Sequence, residues 1–258
     1  NRSKEENKEF LEILYTKNAS FDKSVAQLLI FPTPKYLKKL DGEFAVNRIL
    51  KIYGNDKDLQ IFEREVDRLF ITEPVNSQNQ ADIILINNSL LGREAYNLNI
   101  SKQKITIESS SSTGLFYALQ SIKSLFKGLE NKSYLPALEV SDEPRYGYRG
   151  FMMDIARNFR DKSVVLKYLD LMAENKLNVF HFHFIEDEAW RIEIPGLPEL
   201  IEVGARRSPL FHLGNALQPA YGSGIDETKY YLSRADFIEI LKYAKEKHIQ
   251  VVPEIETP

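Results

Sequence analysis

The sequence has no cysteine among its 258 residues, so it can form no disulfide, thiolate nucleophile or cysteine-bound metal site. It also lacks an excess of either charge: 34 basic side chains stand against 37 acidic ones, a net charge of -3, with the signs interspersed. That excludes the basic footprint of a nucleic-acid-binding protein or of one that adheres to anionic membranes. No apolar run approaches the roughly 20 residues of a membrane-spanning helix. No phosphate-cradling G-x-G-x-x-G or G-x-x-x-x-G-K motif occurs, and there is no internal repeat or low-complexity segment. The chain starts at Asn1 without a basic-then-apolar leader, so we expect that any export signal was removed or never present.

What is present is an ordinary globular composition, 43% apolar and 28% charged, in a chain long enough for two domains. Asn1 to about Ala26 is polar and helix-tolerant, with a short apolar face at Phe10, Leu11 and Leu14. LLIFPTPKYLKKLDGEFAVNRILKIY reads as strand, turn and strand, with Asp41-Gly42 as the turn. Leu59, Phe62, Val66, Leu69 and Phe70 recur at helical spacing and predict a helix over 58–71, followed by a loop at Pro74. ADIILIN predicts a strand, and AYNLNI and KITIESS a strand pair turning at Ser101 to Lys104. Leu115, Leu119, Ile122 and Phe126 predict a helix capped by Ser112 or Thr113. YLPALEVSDEPRYGY reads as a linker in which two prolines and two charged residues bracket one short strand-like run.

From Tyr148 strand and helix patterns alternate. YRGFMMDIARNF is a strand, and Val165, Leu169 and Met172 mark one face of a helix capped by Asp161 or Ser163. LNVFHFHFIEDEAWRIEI is the second strand and its rim, followed by a long excursion over 195–232. Ser233 and Asp236 start a second helix carrying Phe237, Ile240, Leu241 and Ala244, and IQVVPEIE is the third strand. This order predicts an α/β protein: a small mixed α/β N-terminal domain, then the first three β/α units of a TIM (β/α)8 barrel. A closed barrel takes eight strands and typically about 250 residues, so the barrel is expected to be truncated and the chain to be the front of a longer protein. The expected divisions are an extension over 1–28, the α/β domain over 29–143 and the partial barrel over 144–258.

In such barrels the loops after the strands build the active site. Arg157 and the acids Glu186, Asp187 and Glu188 stand at two successive strand ends. Three acids there read equally as a solvated strand end, but the planar fork of Arg157 matches paired hydroxyls or a carboxylate. His181 and His183 form an H-x-H that could bind metal from one face of a strand. Strict alternation, however, sets Glu186 on the opposite face with Phe180, Phe182 and Phe184. A shared metal site then needs a bulge, and packed, hydrogen-bonded core histidines are the favoured state. Nothing singles out His212 or His248. Trp190 is expected to anchor a loop rather than stack on a sugar, and Tyr221, Tyr230 and Tyr231 are weaker rim candidates.

YRGFMMDIARNF, LNVFHFHFIEDEAWRIEIPGLPELIEVGARR and VVPEIETP resemble the opening three strands of the family 20 glycoside hydrolases, the β-N-acetylhexosaminidases. EAYNLNI, KITIESSSSTGLFYALQSI and LPALEVSDEPRYGYRG are similar to that family's N-terminal α/β domain and its junction with the barrel, so the likeness runs from Leu29 to Pro258. The resemblance implies that Arg157 grips ring hydroxyls of a terminal N-acetylhexosamine. It places Glu186 where the family usually has aspartate, in a polar network with a histidine after the third strand and the catalytic acid. Asp187 then matches the second acid of the pair.

The implied chemistry is substrate-assisted and retaining, with no metal and no cofactor. Its Asp-Glu pair is expected after the fourth strand, so residues 1–258 alone are expected not to hydrolyse sugar. The implied partners are N-acetylhexosamine-terminated glycans, not nucleic acid, and similar bacterial enzymes favour a periplasmic or cell-surface location. Two rivals are a metal-dependent barrel hydrolase using His181 and His183, and a non-catalytic carbohydrate-binding protein.

Overall fold

The computed structural model describes residues 30–46, 48–129, 131–186, 189–205 and 230–256. The readings for the 1–28 extension and for Asp187, Glu188, His212 and Tyr221 fall outside them. The first sheet comprises β1 (Tyr36–Ala45), β2 (Ile49–Tyr53), β3 (Ile71–Pro74), β4 (Ile83–Asn87), β5 (Tyr96–Ile100), β6 (Ile105–Ser109) and β7 (Tyr134–Asp142), in the order β1-β7-β5-β6-β4-β2-β3. Strands β2, β3, β4 and β6 pair in parallel; the β1-β7, β7-β5 and β5-β6 pairs are antiparallel. Alternation decides which faces are buried. Tyr96, Leu98 and Ile100 of β5 and Ile105 and Ile107 of β6 point inward, and the residues between them are half-buried. Ser101 closes the turn between these strands by accepting the N–H groups of Gln103 and Lys104.

Among the described residues this part has two α-helices, α1 (Asp56–Val66) and α2 (Ser112–Gly128). The Ser111 side chain caps α2 by accepting from the N–H groups of Thr113 and Gly114, one residue earlier than expected. Every residue of α2 from Thr113 to Ile122 is buried, because the helix packs on β5 and β6 on one side and on a helix of the second part on the other. A helix enclosed from both sides needs no polar face.

Three expectations are corrected. Asp41-Gly42 does not turn a hairpin: it lies within β1, whose register on β7 slips between Lys39 and Glu43. Gly42 takes φ 106 there, a backbone shape that glycine adopts without steric cost. The first helix ends at Val66, not Ile71, and Ile71–Pro74 is instead a strand that, among the described residues, pairs only with β2; a sheet edge tolerates proline because it needs fewer backbone donors. Tyr134–Asp142 is not a linker but β7, held between β1 and β5. Its Pro136 faces Glu43 beside the β1 slip, outside the stretch paired to β5.

The second part has three parallel strands, β8 (Gly150–Asp154), β9 (Val179–His183) and β12 (Gln250–Glu254), with β9 in the middle. Between β9 and β12 lie β10 (Ile185–Glu186), β11 (Ala189–Trp190) and the short helix α4 (Glu199–Glu202). Helices α3 (Lys162–Glu174) and α5 (Arg234–Glu246) link the three strands. Asp161 caps α3, and Ser233 with Asp236 forms a reciprocal capping box on α5. Leu241 is exposed, so the buried stripe of α5 is Ile240 and Ala244, with Phe237 half-buried.

Register fixes the faces of this sheet. Phe151, Met153, Phe180 and Phe182 share one face: Phe151 stacks on Tyr168 of α3 and Phe182 on Phe237 of α5. Met152, Asp154, His181, His183, Val252 and Glu254 share the other face. The described residues therefore form an α/β fold, an N-terminal domain followed by a partial barrel, with one continuous apolar core across both.

Candidate functional site

Asp154, His183 and Glu254 are the last residues of three adjacent strands and are register partners, so they form a row across the C-terminal end of the sheet. The chain beyond β8 bends at once. Asp154 Oδ1 accepts the N–H groups of Ala156 at 2.8 Å and Arg157 at 3.2 Å, and Asp154 Oδ2 accepts Arg157 Nη1 at 2.6 Å. Burial raises the pKa of the Asp154 carboxyl, but these three donors outweigh it and the net shift is downward.

Arg157 Nη2 reaches Glu186 Oε1 at 2.5 Å. The two sequence-derived candidates thus meet on one rim, with the guanidinium plane held between two carboxylates and its side chain 46% exposed. Glu186 Oε2 lies 3.1 Å from His183 Nε2. This corrects the expectation of strict alternation: β9 stops at His183, Phe184 breaks the strand, and Ile185–Glu186 turns back against Ala189–Trp190. Glu186 therefore returns to the histidine face.

His183 is nearly buried, with Glu186 on one ring nitrogen and Glu254 Oε2 3.0 Å from the other. Glu254 Oε2 also lies 2.7 Å from His181 Nε2. These are ion-pair distances without hydrogen-bond alignment, since among the described residues that oxygen has no well-directed donor. The histidines therefore share a carboxylate of the next strand. Among the described residues, the side chains close enough to share a cation are His183, Glu254 and Glu256, within 4.8 Å of one another, and His181 is not one of them. A hydrogen bond with Glu186, reinforced by its charge, raises the Glu256 pKa above the usual carboxylate value.

Trp190 donates its indole N–H to the Ile192 carbonyl at 2.5 Å and packs against the core, in line with the loop-anchor reading. Arg191 carries no motif that marks it in the sequence, yet its guanidinium is fully buried and donates to backbone carbonyls behind the rim. Its place among acids and prolines resembles a surface position, and only its position next to a half-buried tryptophan could have signalled otherwise.

Parallel strands with a charged C-terminal rim, attached to a mixed α/β domain, place the chain in the class of β/α-barrel folds, of which it holds a part. Residues 146–258 match the catalytic domain of glycosyl hydrolase family 20, and residues 27–143 match domain 2 of that family. The chain belongs to glycoside hydrolase family 20. It is 47% identical to the N,N'-diacetylchitobiase of Vibrio harveyi over 167 residues, covering 64% of this chain and 19% of that protein. It is 32% identical to the Beta-hexosaminidase of Vibrio furnissii over 237 residues, covering 90% of this chain and 38% of that protein. The fold superposes on the beta-N-acetylhexosaminidase of Bacteroides fragilis with a TM-score of 0.75 at 28% identity, over 89% of this chain and 45% of that one. A Vibrio harveyi exo beta-N-acetylglucosaminidase in complex with N-acetylglucosamine matches with a TM-score of 0.74 at 28% identity, over 88% of this chain and 36% of that one.

Proposed function

We propose that the gene product is an exo-acting, retaining β-N-acetylhexosaminidase that releases terminal N-acetylhexosamine from β-linked glycans, and that the three β/α units are the first of an eight-unit barrel. The observation that carries this reading is the Arg157–Glu186 ion pair at adjacent strand ends, in a chain of this family. In it, Arg157 donates from its rigid fork to ring hydroxyls of the terminal sugar, and Glu186 holds the fork through one oxygen and His183 through the other. Asp187 is assigned, by the family likeness alone, as the second acid of the pair. The names of the two Vibrio relatives support the same substrate class.

In the substrate-assisted route the acetamido oxygen bonds to the anomeric carbon as the glycosidic C–O bond breaks, and a carboxylic acid protonates the leaving oxygen. The sugar supplies its own nucleophile, so the rim has to bind and orient it; correct orientation is itself worth many kcal/mol of barrier. The test compares an aryl N-acetyl-β-glucosaminide with the matching aryl β-glucoside, using the full gene product. We expect turnover of the first and a rate lower by on the order of 100-fold or more for the second, which lacks the internal nucleophile. Equal rates, or no turnover of the first, contradict the proposal.

A further inference from the structure

We infer that Arg191 is a positioning residue for Arg157, holding the backbone turn that aims the Arg157 fork across the rim. Arg191 is 1% exposed. Its Nε and Nη2 donate to the Ala156 carbonyl at 3.1 and 3.0 Å, and Nη1 donates to the carbonyls of Ala205 at 3.1 Å and Tyr230 at 2.9 Å. The Phe159 ring lies 5.7 Å from the guanidinium. Its own backbone is fixed as well, by N–H donation to Phe184 and by the Leu232 N–H on its carbonyl. A buried guanidinium is costly unless its donors are met, and this one meets three separate segments at once.

Ala156 is the peptide unit immediately before Arg157 and is itself fully buried. Its carbonyl is held by Arg191 from behind, and the N–H groups of Ala156 and Arg157 are held by Asp154 from below. The turn is therefore gripped on both sides, whereas the Arg157 side chain itself is half exposed. A lysine at 191 keeps the charge but cannot reproduce a planar fork that reaches three carbonyls. Loss of such support typically leaves a site present but about 1 Å loose. The inference rests on the proposed sugar-gripping role of Arg157 only for what the positioning serves.

The test replaces Arg191→Lys in the full gene product and follows the Asp154 carboxyl by NMR pH titration. Asp154 is a built-in reporter, because its depressed pKa depends on the three donors from residues 156 and 157. Asp82, held by Arg48 in the N-terminal domain, is the reference. The expected result is an upward move of the Asp154 midpoint with Asp82 unmoved. Both unmoved overturns the inference, and both moving together overturns it in favour of general loosening. If Arg191→Lys fails to fold, Phe159→Leu, which removes the ring over the guanidinium, is read in the same way.

A kinetic cycle on the same protein gives the second reading. Arg191→Lys should lower kcat/KM by about tenfold in the wild type and have almost no effect in an Arg157→Ala background, as coupled residues do; losses that multiply overturn the inference. If Arg157→Ala leaves hydrolysis unchanged, the proposed function fails, and the Asp154 titration still decides the positioning.

Discussion

Acidification should weaken this protein through His248, a residue far from the rim. His248 follows α5 with φ 58 and sits between the two parts. Its Nδ1 is 3.1 Å from the Thr113 hydroxyl, and its ring centroid is 4.9 Å from that of Phe116 on α2. Burial, then the positive charge of Arg64, lowers its pKa from 6.5 to about 4; Arg93 and Lys57 act the same way, and Glu65 opposes them.

The folded protein therefore binds this proton less readily than the unfolded chain. Stability is intact above pH 6.5 and is lost progressively as the pH falls towards 4. Fully realised, that interval is worth about 3 kcal/mol; partial solvent access reduces it to roughly 1–2 kcal/mol. His248→Asn is the informative variant, because asparagine tolerates a positive φ. Denaturant unfolding of the gene product at pH 7 and pH 4.5 should show a smaller acid loss in the variant by that amount. Equal losses in the two proteins would refute the argument.

Two further predictions concern packing. Lys176, at φ 56 after α3, donates to Asp142 at 2.8 Å and to the Tyr96 hydroxyl at 2.9 Å in a nearly buried cluster. Lys176→Met strands the Asp142 carboxylate and should cost about 3 kcal/mol in chemical denaturation; a loss under about 0.5 kcal/mol would show that water takes the place of the ammonium. Gly114→Ala would set a Cβ 2.4 Å from the Ala95 carbonyl oxygen. The clash should outweigh the roughly 1 kcal/mol gain in helix propensity and destabilise by about 1–2 kcal/mol, so a raised Tm would contradict the packing described.

Much of the fold is legible in the residues, and the exceptions share a cause. The stripe of α3 and the alternation in β5 and β6 stand out because one face of each is the more deeply buried. The bulge at Gly42, the edge strand ending at Pro74 and the β7 strand containing Pro136 look like breaks, since glycine and proline mark turns and sheet irregularities alike. Only pairing partners far along the chain distinguish the two.

The same holds at the site. Arg157 and Glu186 can be found as strand-end charges, but the return of Glu186 to the His183 side depends on where β9 stops, which alternation cannot show. Lys176 and His248 occupy left-handed helix ends where glycine is usual. Their side chains are used for docking, so no glycine announces the turn.

The central claim is that Arg157, held by Asp154 and Glu186, binds the sugar whose bond is cut. The most direct measurement is kcat/KM of the Arg157→Ala gene product on an aryl N-acetyl-β-glucosaminide. Loss of a charge-assisted contact worth about 1.5–3 kcal/mol predicts a fall of roughly 10- to 150-fold at unchanged folding. An unchanged kcat/KM would contradict the account.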